Sequence, residues 1–172
     1  MKNMKNFAVG DKIINFNKVY IIFKIIEQKV KDKKEQIISF RPFFQTEKKN
    51  SLTFSIPVDN IDKTNIRKPI SKKELKELLS ELSKASNLET PIDLNRINEE
   101  LNLNDPNAHV EILKCLWKEK NDETTNFTKT RNDVLGLTIK LLLEEVALVS
   151  GVSLKEAEEK IKTALKRSNY TT

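Results

Sequence analysis

Only one cysteine, Cys115, and one histidine, His109, occur among the 172 residues. An internal disulfide framework is therefore excluded, and a lone thiol suits a reducing cytoplasm. A structural zinc site built from Cys and His is excluded too, because it needs several such ligands. Glycine is scarce, at 3 residues, so there is no Gly-rich loop to cradle a phosphate. No apolar run approaches the roughly 20 residues of a membrane span. Met1 to Val9 carries lysines but no apolar core, so no signal peptide is expected. These absences point to a cytoplasmic protein with no membrane partner. What is present is a hydrophobic content of 38%, enough to build a real core.

The formal net charge is +6, and it is unevenly placed. Residues 1–70 hold 15 Lys and Arg against 7 Asp and Glu, a balance of +8. Residues 71–172 hold 16 against 18, a balance of −2. The basic surplus thus belongs entirely to the first part, which suggests an acidic or polyanionic partner there. The plainer reading is that the lysines serve solubility.

The hydrophobic period changes near residue 70. Before it lie short β-like runs, Ile13 to Phe16, Val19 to Ile26, Gln36 to Phe43 and Leu52 to Pro57, rich in Val, Ile, Phe and Tyr. Turn-like stretches separate them, including Lys31 to Lys34 and Glu47 to Asn50. Such runs predict a small, strongly bent sheet or barrel. After residue 70 the period is helical. Ser71 with Glu74, and Ser153 with Glu156, read as capping boxes. Thr90-Pro91 reads as the start of a helix over Ile92 to Leu103, with Pro in its first turn. Asp105-Pro106 starts another, with Val110, Leu113, Leu116 and Trp117 inward. Glu119 to Asn126 reads as a polar loop. Thr128 caps a long, central helix ending at Ser150-Gly151. The expected class is α+β: a β domain over 1–68, then a compact domain of about five helices over 69–172.

No catalytic constellation is apparent. His109 reads as a helix-surface or core-edge residue, and Cys115 as a small buried hydrophobe. Neighbouring acids such as Glu99-Glu100 and Glu144-Glu145 diverge by about 100° around a helix. They are solvated faces rather than acid–base pairs. The chain is therefore expected to be a binding protein without a cofactor or metal.

Phe7-Ala8-Val9-Gly10-Asp11-Lys12-Ile13-Ile14 resembles the opening of the CarD/CdnL/TRCF-interaction domain, Phe-x-Val-Gly-Asp followed by two β-branched residues. Ile25-Ile26-Glu27 is similar to the Ile-Glu pair that closes its second strand. Leu52 to Asn60 resembles its later strand and turn, and Ile66-Arg67 the segment leading to the first helix. Val110 to Trp117 and Leu141 to Leu148 are similar to two of its helices.

The resemblance implies a Tudor-like domain that binds the RNA polymerase β subunit. A helical domain would follow, contacting promoter DNA at the upstream edge of the bubble and so modulating open-complex stability. It implies Lys29, Phe54, Ser55, Ile56 and Pro57 as the polymerase-binding set. The likeness is not complete. Asn15 to Val19 lacks the family's Pro, His and Gly, and Ser55 stands where an arginine is usual. The family's minor-groove wedge, a Trp, has no counterpart near Thr90-Pro91, where Ile92 is the nearest apolar substitute. With Ile92, Arg96, Lys129 and Arg131 as the candidate DNA set, promoter DNA is expected to be bound weakly and without sequence preference. The alternative is a polymerase-independent nucleic-acid-binding protein. It would use the basic β domain, with Tyr20, Phe23, Phe40, Phe43 and Phe44 available to stack on bases.

Overall fold

A computed structural model describes residues 7–30, 33–44 and 52–169. The chain divides into two compact units, Met1–Pro69 and Ile70–Thr172.

The first unit is an antiparallel sheet of four strands in sequential order: β1 (Lys12–Asn15), β2 (Lys18–Val30), β3 (Lys33–Pro42) and β4 (Phe54–Pro57). A 3₁₀ turn, Val58–Lys63, follows β4. Alternation along β2 and β3 sends Tyr20, Ile22, Ile38 and Phe40 inward, where they pack with Ile13, Ile61 and Ile66. A register shift between Ile22 and Lys24 interrupts the β2–β3 pairing. Such a bulge bends a strand and sharpens its twist. Gly10 at φ +97° turns the chain into β1, a conformation that glycine adopts without a Cβ penalty. The sheet is bent but not closed into a barrel. Beyond β1 the chain returns through Arg67, which exchanges two main-chain hydrogen bonds with Ile14 at 2.8 and 3.0 Å. Beyond β4, no strand is paired among the described residues. The expected turn at Glu47 to Asn50 lies outside the described residues, as does the Lys31-Asp32 connection.

The second unit has five α-helices: α1 (Lys72–Leu82), α2 (Leu94–Leu101), α3 (Pro106–Asn121), α4 (Lys129–Ser150) and α5 (Leu154–Ser168). Both predicted capping boxes form, at Ser71/Glu74 and Ser153/Glu156. Asp105 and Thr128 cap α3 and α4 through their side chains. Gly151 ends α4 in the left-handed conformation. Helix α4 packs against α1, α3 and α5, burying Leu135, Ile139, Leu142 and Val146.

Three expectations fail in this unit. Pro91 does not open α2, because the Asp93 carboxylate accepts from the N–H groups of Asn95 and Arg96 and starts the helix at Leu94. Residues Glu119 to Asn121 belong to α3 rather than to a loop. His109 is fully buried in α3, neither on the helix surface nor at the core edge.

Glu119 explains much of the local order. It is 0% exposed, yet both carboxylate oxygens are engaged. Oε1 accepts the Ile92 N–H at 2.7 Å, and Oε2 accepts from Arg131 Nη1 at 2.7 Å. Arg131 Nη2 then donates to the Ile92 carbonyl at 2.8 Å. One buried ion pair thus satisfies both main-chain groups of Ile92 and ties the approach to α2 onto α3 and α4. A buried carboxylate also holds the start of the unit, where Glu145 Oε1 accepts the Ile70 N–H at 2.9 Å.

Truncating either member of a buried pair strands the other charge out of water, at a cost of about 3–5 kcal/mol. Glu119→Ala and Arg131→Ala are each expected to lower unfolding stability by that order in urea melts. A loss of under about 1 kcal/mol, typical of a surface pair, would show that the clamp does not hold the unit together.

Candidate functional site

The β4 edge is the candidate interaction site of the first unit. In register, Ile37, Ile38, Ser39 and Phe40 of β3 face Pro57, Ile56, Ser55 and Phe54. Period 2 puts Phe54 and Ile56 on one face and Ser55 on the other. The Phe54 ring stacks on Phe40 at 5.6 Å and meets Tyr20 edge-on at 5.7 Å. It nevertheless remains 40% exposed. Ile56 is partly buried against the core. On the opposite face the Ser55 and Ser39 hydroxyls hydrogen-bond at 2.8 Å. The whole of β4 is exposed or half-buried.

A groove of about 430 Å³ runs beside this strand, lined among others by Phe16, Phe54, Ile56, Lys63 and Ile66. Its walls come from β4 on one side and from the β1 end and the Thr64–Ile66 segment on the other.

Four of the five expected polymerase-binding residues therefore sit together, namely Phe54, Ser55, Ile56 and Pro57. Lys29 does not join them. It lies on β2 opposite Lys34, and β3 separates β2 from β4. That distance is about 10 Å across the sheet, so Lys29 belongs to the outer end of the β2–β3 hairpin. Phe16 was missed as a site residue because it reads as the last residue of a strand. The signal was the short Phe16-Asn17 link between two β runs, since two-residue hairpin loops require left-handed residues.

The candidate DNA residues of the second unit are scattered in role. Ile92 is 4% exposed and belongs to the core, so it forms no wedge. Arg131 is committed to Glu119 and the Ile92 carbonyl rather than to a phosphate. Arg96 on α2 and Lys129 in the first turn of α4 are exposed. A larger depression, about 1000 Å³, lies between α1 and α5. Lys76, Lys155, Lys160 and Arg167 share its walls with Glu156 and Glu159, so two of its four basic charges are offset.

A second ion-pair cluster links α1 to α3. Lys114, almost fully buried, donates to Glu81 at 2.7 Å and to Glu111 at 3.1 Å. Hydrogen bonds from Lys114 and then Lys84 hold the Glu81 carboxyl down at about 2. For Lys114, burial opposes the charge, but Glu81 and Glu111 outweigh it and raise its pKa. Burial, and next the Glu119 carboxylate, push the Cys115 thiol up to about 11. At neutral pH it stays protonated and is a poor nucleophile. Tyr20 and Phe40 are core residues, and Phe23 lies under the Arg41 guanidinium at 5.4 Å. Of the aromatics considered for base stacking, Phe43 is left 39% exposed.

Comparison with protein-family models gives no match, and no curated protein matches the chain. No helix is long and apolar enough to cross a membrane among the described residues.

With two exposed basic candidates left in the second unit, duplex DNA is expected to bind at the non-specific level, about 10⁻⁴ to 10⁻⁶ M at physiological salt. An Arg96→Ala, Lys129→Ala double variant should flatten the salt dependence by about 0.9 in log–log slope for each phosphate left without its cation. An unchanged slope in a salt titration would place the DNA-binding surface elsewhere.

Proposed function

We propose that the chain is a CarD-like transcription regulator. It grips the β subunit of RNA polymerase through the open β4 edge and modulates open-complex stability, with weak contacts to promoter DNA. It acts by binding, in the cytoplasm, and not as an enzyme. The observation that carries this reading is the unequal treatment of the two sheet edges. Arg67 covers β1 with main-chain hydrogen bonds, while β4 is paired only with β3 among the described residues. An uncovered edge is a template for a further strand, where main-chain hydrogen bonds supply affinity and neighbouring side chains supply selectivity. The motifs that resemble the family's polymerase-binding domain fall on this same unit. Its basic surplus suits an acidic partner surface.

A second reading rests on the exposed Phe43 and the lysine-bearing end of the β2–β3 hairpin, where Lys29 faces Lys34. Together they suit a nucleic acid bound without polymerase. Pull-down from bacterial lysate after nuclease treatment separates the two. The first reading predicts that polymerase is retained, that Phe54→Asp lowers retention in protein still folded by circular dichroism, and that Ser55→Arg raises it. Capture that nuclease abolishes, or equal capture by both variants, contradicts it.

A further inference from the structure

The β1–β2 connection is a two-residue turn in which Phe16 and Asn17 take φ of 47° and 62°. Both residues lie in the left-handed region that such hairpin turns require. Asparagine tolerates this conformation; a bulky aromatic does so against strain. Core burial does not explain Phe16 either, because it remains 68% exposed. Asn17 beside it is only 8% exposed, so the turn is built with its aromatic outward. Phe16 lines the groove beside β4 together with Phe54 and Ile56. Strain of this kind, held by the surrounding structure, gathers at ligand clamps.

We propose that Phe16 is the selectivity anchor of the β4 edge. It closes on a large apolar side chain of an incoming protein strand and holds that side chain against Phe54 and Ile56. This rests on the reading that β4 takes a strand, and adds the partner's chemistry. Lys63 also lines the groove, and residues 1–70 carry a surplus of +8. The strand that fits is therefore extended, apolar at its centre and flanked by carboxylates.

The test uses the full-length protein with two probes: core RNA polymerase, and a short β-forming peptide with a central Leu flanked by Glu, against a Lys-flanked control. Phe16→Gly removes the ring and relieves the backbone, while Phe16→Tyr keeps the ring. The proposal predicts that Phe16→Gly binds both probes at least about tenfold more weakly. Its unfolding midpoint is no lower than that of the wild type, and Phe16→Tyr binds as the wild type does. Polymerase binding that Phe16→Gly leaves unchanged overturns the anchor and leaves the strand-addition reading standing. If wild type ignores polymerase but takes the Glu-flanked peptide in a Phe16-dependent way, the polymerase reading fails and the anchor is supported. Equal binding of both peptides, binding of neither, or displacement of the Glu-flanked peptide by oligothymidylate overturns the acidic-strand proposal.

Discussion

Main-chain N–H and C=O groups removed from water must find partners, and this constraint organises both units. In the helical unit the partners come from acidic side chains drawn into the interior. Glu119 and Arg131 together complete the peptide groups of Ile92, and Glu145 completes Ile70. These are irregular stretches just before α2 and α1, where no helix supplies the bonds. Each carboxylate ties down the segment that leads into a helix, whose start is then set by its own cap, Ser71 or Asp93. In the β unit the same constraint is met at one sheet edge by Arg67. At the other edge, β4, no further strand supplies partners among the described residues.

The parts of the fold that depend on local chemistry were legible in the sequence. Ser71, Asp105, Thr128 and Ser153 cap helices with their own side chains, and Gly151 stops one with a backbone conformation that suits glycine. The change of hydrophobic period near residue 70 falls where the units divide. What failed depended on a partner far along the chain in one case and on a competing local cap in another. Glu119 sits in a polar run and reads as loop, but Arg131, twelve positions on, allows it to be buried. Asp93 overrode the Pro91 signal because its carboxylate satisfies two N–H groups at once.

The candidate site was legible only in part, for the same reason. Phe54 to Pro57 follow one another in the chain, so a motif could place them together. That β4 has no strand beyond it among the described residues follows from strand order, which no local pattern states. The family resemblance groups Lys29 with that edge, and strand order sets it on β2 instead. Phe16 reads as the last residue of a strand, whereas the turn leaves it 68% exposed. In the helical unit, the burial of Ile92 and the pairing of Arg131 remove two expected DNA-binding residues. Under the proposed function, weak DNA contacts would come into play only through the polymerase grip. Tethering does this by raising the local concentration of the second partner.

The central claim is that the β4 edge takes a strand of polymerase, and hydrogen exchange at single-residue resolution tests it most directly. Mixed with core polymerase, the full-length protein is predicted to gain protection at backbone amides within Phe54–Ile56. The Ile14 amide, already bonded to Arg67, should change little. Protection that rises at the β2–β3 hairpin end or on α2 while residues 54–56 exchange as before would contradict the account.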